Sequence, residues 1–297
     1  MNSSAQNIIK LEEETPMMQQ YIKIKKEHPD SILFFRMGDF YEMFNEDAEI
    51  ASKVLEIALT SRNKNKANPT PMCGIPHHSS KSYIAKLIKS GKKVAICEQT
   101  EDPKLTKGLV KREVIRVVTP GTILDDNLLD PKQNHFIVSI YSNSKGWGLA
   151  ALDITTGLFK VTDFYGANRE SLLQAEIEKF DPKEIILSEN LVDGNNKPVW
   201  LENKKGSIQT CEDWFFSYND SYRLLIEHFK IGSLEGFGCE SMKLAISSAG
   251  ALIRYLYQTQ KTALEHVNTI NVFNVHNYML IDKATIRSLE LVKSSEG

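Results

Sequence analysis

Phe34-Phe35-Arg36-Met37-Gly38-Asp39-Phe40-Tyr41-Glu42-Met43-Phe44 is the stretch around which the chain is organised. It reads as the end of a strand over residues 32–36, a turn at Gly38-Asp39 and a second short extended piece, with a helix starting near Met43. Residues two apart on an extended segment point the same way. Phe40 and Glu42 therefore project together, with Tyr41 on the other side. One reading makes Phe40 core and Glu42 a cap for the following helix, because aromatics near helix starts are usually packed. The other makes the pair a presented aromatic wedge beside a carboxylate.

Working outward, Thr15-Pro16 starts a helix, with a capping threonine and proline in the first turn. Met17, Tyr21 and Ile24 form its apolar stripe, and His28-Pro29-Asp30 ends it. Beyond the quoted stretch, a helix runs to about Glu56, and residues 57–61 read as a strand. Arg62-Asn63-Lys64-Asn65-Lys66 opens a polar, basic loop to Thr70. A short strand over 72–75 leads to Pro76-His77-His78. Ser79 or Ser80 then caps a helix that Gly91 terminates. Strands over 93–98 and 113–118 follow, and Thr119-Pro120-Gly121-Thr122 breaks the second. This mixture makes residues 15–125 an α/β domain after a polar lead-in, 1–14, read as disordered. Residues 126–133 read as a linker. Three closely spaced strands (135–141, 147–154, 157–164) then form an antiparallel meander with hairpin turns at 143–146 and 155–157. A helix over 170–180, a buried strand over 184–187, a loop at 193–196 and a small-residue helix over 241–258 make a second α/β domain, 134–272. Residues 279–292 look like a strand leading into a helix. That helix has no partner before Gly297, which reads as a fragment of something longer.

The 297 residues, 41% hydrophobic and 25% charged, suit about two globular domains. No apolar run approaches the length of a membrane span, and residues 1–14 lack the basic start and apolar stretch expected of a secretory signal. Four widely spaced cysteines without a C-x-x-C pair fit a reduced, cytoplasmic setting. Net charge is only −2, yet residues 61–116 hold 13 Lys+Arg against 4 Asp+Glu. Such a segment is either a solvated face or the footprint of a phosphate-backbone contact. His77-His78 lacks further ligands at metal-binding spacing. Cys73 and Cys97 have no evident base partner and read as small buried residues. No G-x-x-x-x-G-K-[ST] stretch occurs, so no phosphate-binding P-loop is present.

Several motifs occur in a fixed order. They are the quoted stretch through Glu42, Met72-Cys73-Gly74-Ile75-Pro76-His77-His78, Val94-Ala95-Ile96-Cys97-Glu98-Gln99, Arg116-Val117-Val118-Thr119-Pro120-Gly121-Thr122, and Leu152-Asp153-Ile154-Thr155-Thr156-Gly157. Ile281-Asp282-Lys283-Ala284-Thr285-Ile286-Arg287-Ser288-Leu289-Glu290 completes the set. The ordered set closely resembles the MutS family of DNA mismatch repair proteins over about residues 15–295. One departure is His77, where family members often carry tyrosine. The resemblance implies a mismatch-recognition domain to about 125 and a connector domain with a ribonuclease H-like fold but no nuclease function. Residues 273–297 would begin a helical core. It also implies mismatched or looped duplex DNA as ligand and a MutL-like partner on the connector. In the intact family protein it implies a homodimer and an ATPase using ATP and Mg²⁺. That ATPase domain is not in this sequence, so no cofactor and no ATP hydrolysis are expected of this chain.

Chemistry agrees with that implication. An aromatic side chain pushed in from the minor groove unstacks a base step and kinks the duplex. Broken pairing makes that deformation cheaper, so recognition is partly a readout of deformability. Phe40 is the expected wedge, Glu42 the expected hydrogen-bonding partner of the displaced base, and Arg62, Lys64 and Lys66 are backbone-contact candidates. The competing readings are a metal-dependent nuclease using Asp153 on the ribonuclease H-like domain, and a protein-interaction module. Two-metal nucleases need several convergent acids, and the sequence shows only scattered ones (Asp163, Glu176, Glu178, Asp181).

Overall fold

The structure is a computed structural model that describes residues 14–62, 69–101, 106, 108–122, 134–193, 198–201, 207–260, 264–275, 285 and 288–289. Two compact units meet in sequence between Pro120 and Gly121. The residues read as a linker, 126–133, lie outside the described set, as do Lys64, Lys66 and nearly all of 279–292.

In the first unit, α1 spans Pro16–Glu27, and Thr15 Oγ1 accepts a hydrogen bond from the Met18 amide at 3.4 Å. The central strand β1, Ser31–Met37, runs antiparallel to β2, Phe40–Phe44, and parallel to β5, Lys93–Gln99. With β3 (Thr60–Arg62), β4 (Thr70–Pro76) and β6 (Arg112–Val118), the sheet order is β3-β4-β2-β1-β5-β6. One face buries Leu33, Phe35, Phe44, Ala95, Cys97, Val114 and Val117 against Met17, Met18, Tyr21 and Ile24 of α1. The Tyr21 ring meets Phe44 edge-on at 4.9 Å and Phe35 at 5.5 Å. A buried carboxylate ties three elements together: Asp47 accepts from Lys25 Nζ (2.8 Å), the Leu33 amide (3.0 Å) and the Tyr21 hydroxyl (3.2 Å). A buried charge is tolerated only when paired and hydrogen-bonded in this way.

Two boundaries differ from the sequence reading. Helix α2 begins at Asn45 rather than near Met43, because Met43 and Phe44 are held extended by pairing with Cys73 and Met72 of β4. Strand β3 starts at Thr60 rather than Ile57. Glu56 closes α2 in the left-handed region (φ 57°), and the chain takes three more residues to reach the sheet edge. Helix α3, Ser80–Lys89, does end as expected, with Gly91 at φ 78° and its amide on Ile88 O at 2.9 Å. The Ser79 hydroxyl is spent on Pro76 O (3.2 Å), so it does not cap α3 as expected.

The second unit opens with the meander β7 (Phe136–Asn143), β8 (Gly146–Asp153) and β9 (Leu158–Tyr165). Strand β10 (Glu184–Ser188) runs parallel to β7, and β11 (Ser207–Cys211) parallel to β10. Strand β12 (Asn271–Val272) completes the order β11-β10-β7-β8-β9-β12. An antiparallel meander extended beyond its first strand by two successive parallel strands is the arrangement expected of a ribonuclease H-like sheet. Residues alternate between two cores, as a period of two requires. Ile137, Leu152, Val161 and Ile186 enter one; Phe136, Val138, Ala151 and Leu187 enter the other. Helix α4 (Arg169–Phe180) packs in the second core, which also takes in Phe273 and Val275. Helix α5 (Glu189–Asp193) follows β10. Helices α6 (Tyr218–Phe229) and α7 (Lys243–Gln260) cover the first core.

At Gly148 on β8, α7 approaches so closely that an added Cβ would lie 2.1 Å from the Leu244 carbonyl carbon and 2.6 Å from the Ala245 amide. Neither backbone atom can step aside by a rotamer change. Gly148→Ala is expected to destabilise this unit by about 1–3 kcal/mol through overpacking. A lowered urea midpoint with an unchanged slope is the measurement that checks it.

Candidate nucleic-acid interface

The β1–β2 hairpin turns through Gly38-Asp39, with Met37 paired to Phe40 and Phe35 to Glu42. Gly38 has φ 57°, and glycine is the residue that takes this conformation at the first central position of a two-residue hairpin turn. The turn is braced from β4: the His77 amide donates to Asp39 O at 2.9 Å, and His77 Nδ1 lies 3.1 Å from the same oxygen. Rather than ligating a metal, His77 holds the hairpin.

Phe40 emerges from this braced turn 47% exposed, so it is not core. Glu42 is half-buried on the same face. Tyr41 is buried on the opposite face, where its hydroxyl donates to Glu98, which also pairs with Arg36 at 3.4 Å. Phe44, not Glu42, occupies the N-cap position of α2, and no side chain caps that end. Both halves of the packed reading therefore fail.

Glu42 sits between two arginines. Arg62 Nη1 is 3.4 Å from Glu42 Oε2. Arg112 adds a second favourable charge from β6. Burial nevertheless pushes the Glu42 carboxyl above its ordinary value, and the two arginines oppose that rise. Arg62 was expected in a loop; it instead ends β3 and reaches across the face. Arg112, one of the basic residues of 61–116 read from sequence as phosphate-contact candidates, is instead a buried cation. It donates to Arg36 O (2.7 Å), Gln20 Oε1 (3.0 Å) and Val110 O (2.9 Å), and lies 4.9 Å from the Phe35 ring centroid. Nothing in local sequence pattern distinguishes it from the exposed basic residues around it.

Between residues 57 and 97 the chain has eight Lys+Arg and no Asp or Glu. Within that stretch, Lys81, Lys86 and Lys89 are exposed on α3. At 100° per residue they spread over roughly 140° of the helix surface, with buried Ala85 falling between Lys81 and Lys89. Helix α3 follows the one-turn 3₁₀ segment His77–Ser79 that braces the Phe40 hairpin. The hairpin thus presents an exposed ring and a half-buried carboxylate on one face, and the 57–97 run adds cations that favour anionic groups.

The nuclease reading does not survive the geometry of Asp153. This residue is fully buried, and its oxygens take the Thr155 amide (2.9 Å), the Thr155 hydroxyl (2.6 Å) and the His135 amide (3.3 Å). It is the peg of the 153–157 turn. Among the described residues no group of three or more His, Cys, Asp or Glu side chains is arranged to hold a metal ion. All four cysteines are free and buried, and burial pushes the Cys73 and Cys239 thiols up to about 11. Among the described residues no helix is long and apolar enough to cross a membrane.

Comparison with known proteins agrees with this picture. The family described as MutS domain I matches residues 15–127, and MutS domain II matches residues 135–268. A DNA mismatch repair protein MutS from Lachnoclostridium phytofermentans is 46% identical over 281 residues, covering 94% of this chain and 30% of that protein. The MutS of Acetivibrio thermocellus is 48% identical, covering 94% and 32% respectively. That of Halothermothrix orenii is 45% identical over 291 residues, covering 95% and 31%. The chain thus spans under a third of the length of these curated relatives. With domains I and II matched in order and relatives at this identity along nearly all of its length, the chain belongs to the MutS family of DNA mismatch repair proteins.

Proposed function

We propose that this chain binds duplex DNA at mismatched or unpaired bases, with Phe40 as the wedge and Glu42 as the hydrogen-bonding partner of the displaced base. The observation that carries the reading is an exposed Phe40 beside a half-buried Glu42 on one face of a braced hairpin. An exposed phenylalanine on a fixed strand is pre-paid in conformational entropy and ready to stack. Insertion costs a few kcal/mol of unstacking per base step, a cost that falls where pairing is already broken. A binding comparison tests the reading: a G·T or unpaired-base duplex should bind more tightly than a fully paired one. Equal binding to both would sink it.

Lys64 and Lys66, with Arg62, are proposed to contact phosphates. Such contacts position without specifying. Neutralising both lysines should weaken binding to paired and mispaired duplexes alike. Each lost contact flattens the log–log salt slope by about 0.9. An unchanged slope would return these lysines to an ordinary solvated surface.

The finer readings follow from family membership. The second unit is proposed to dock a MutL-like partner, and the intact protein to dimerise and use ATP and Mg²⁺. This chain is proposed to turn over no ATP, because its 297 residues contain no phosphate-cradling G-x-x-x-x-G-K-[ST] stretch. Free cysteines throughout support a reducing, cytoplasmic setting.

A further inference from the structure

The two arginines beside Glu42 are held very differently. Arg112 is buried and fixed by three acceptors, Arg36 O, Gln20 Oε1 and Val110 O, so it stays where it is. Arg62 stands at the end of the edge strand, where a long contact, 3.4 Å, reaches Glu42 and the guanidinium lies 5.9 Å from the Phe44 ring centroid. A charge-assisted hydrogen bond is normally about 2.7–2.9 Å, and a strong arginine–carboxylate pair is usually forked. The Arg62 side chain is 37% exposed and that of Glu42 20% exposed, so water competes for both. Gly74 of β4, directly opposite Glu42, places no side chain against it. The charged groups acting on Glu42 among the described residues are Arg62 from β3 and Arg112 from β6. Its cross-strand neighbours, Phe35 on β1 and Gly74 on β4, carry no charge. Glu42 therefore has one fixed counter-charge and one that is free to exchange.

We propose that Arg62 is a specificity-determining positioning residue: it neutralises Glu42 in the free protein and transfers to a backbone phosphate when duplex arrives. This rests on the mismatch-binding reading of Phe40 and Glu42. A phosphate can meet both arms of the planar Arg62 fork, whereas the Glu42 carboxylate, as placed here, is met by one arm at 3.4 Å. Once Arg62 has left, Glu42 faces the phosphate field with Arg112 alone. On a mispaired duplex it takes one proton from solvent and donates it in a hydrogen bond to a base acceptor. On a fully paired duplex no such acceptor is displaced, and the carboxylate is left without its exchangeable partner. Arg62 thus makes the cost of approaching DNA conditional on finding a displaced base.

The test uses Arg62→Gln and Arg62→Lys in the whole chain. In the free protein, carboxyl NMR should show Glu42 titrating at higher pH in Arg62→Gln than in the wild type, with Arg62→Lys close to wild type. Affinity measured against pH should show less proton uptake on mismatch binding in Arg62→Gln, because Glu42 is already more protonated before DNA arrives. The salt slope on fully paired duplex should flatten by about 0.9 in Arg62→Gln. The ratio of mispaired to paired affinity should fall. An unchanged Glu42 titration would overturn the pairing, and an unchanged salt slope would overturn the transfer. Failure of the mismatch reading itself shows separately, as a wild-type chain that binds both duplexes equally.

Discussion

Replacing Phe40 with alanine is expected to abolish the preference for mispaired over paired duplex while leaving the fold and weak non-specific binding intact. The ring is 47% exposed, so its removal leaves no cavity. Exposed substitutions of this kind usually change stability by within about ±0.5 kcal/mol. Stacking of a base on an aromatic side chain is worth about 1–3 kcal/mol by alanine substitution. Affinity for a mispaired duplex should therefore fall roughly 5- to 150-fold. Non-specific binding, carried by phosphate contacts, should hardly change. The check is a pair of titrations alongside thermal melting. A variant that stays selective but melts early would mean that Phe40 serves packing after all.

The second large effect is expected at Glu42. Burial already raises its carboxyl above the ordinary value in the free protein, against the pull of Arg62 and Arg112. DNA adds the phosphate field and removes more water, and both disfavour the charged form further. A protonated Glu42 can donate to a ring nitrogen of a displaced base; an ionised one can only accept. Binding to a mispaired duplex is then linked to proton uptake, and must weaken as pH rises through the raised value of the complex. The same sign holds for the free fold: Glu42 costs stability as pH climbs from its unfolded to its raised folded value. Glu42→Gln is neutral and can still donate. It should tighten binding to fully paired duplex more than to mispaired duplex, so part of the discrimination lies in penalising the wrong ligand. It should also flatten the pH dependence of mismatch binding. Equal loss of affinity for both duplexes, with the pH dependence intact, would remove Glu42 from base reading.

Much of this fold was readable without coordinates, and the reasons are local. Thr15-Pro16, Gly91 and the Asn143–Gly146 turn carry their conformations in their own chemistry, so the elements they bound fell where expected. The alternation of Phe40, Tyr41 and Glu42 follows from strand period alone. What was misplaced depends on distant partners. Met43 and Phe44 look like the start of a helix until β4, some thirty residues on, holds them extended. Strand β12 is two residues long and exists only because β9 offers an edge. Helix α6 went unread, although its Leu225 is fully buried in the first core of the second unit. At the interface, residue types pointed to Phe40 and Glu42, but no pattern separates Arg112 from its neighbours. Its role comes from burial behind the sheet face. The charge of Arg62 is legible in the sequence, whereas its pairing with Glu42 follows from the β3–β4–β2 register.

The two-residue turn at Gly38-Asp39 restricts how this hairpin can vary between relatives. A one-residue slip of β2 against β1 would reverse every side chain along it. Tyr41 would take the face that Phe40 and Glu42 now share, Phe40 would turn to the opposite face where Tyr41 now packs on Phe34, and Asp39 would lose its clamp from His77. With the Gly-Asp turn and this register kept, whatever residue stands at position 40 is aimed outward.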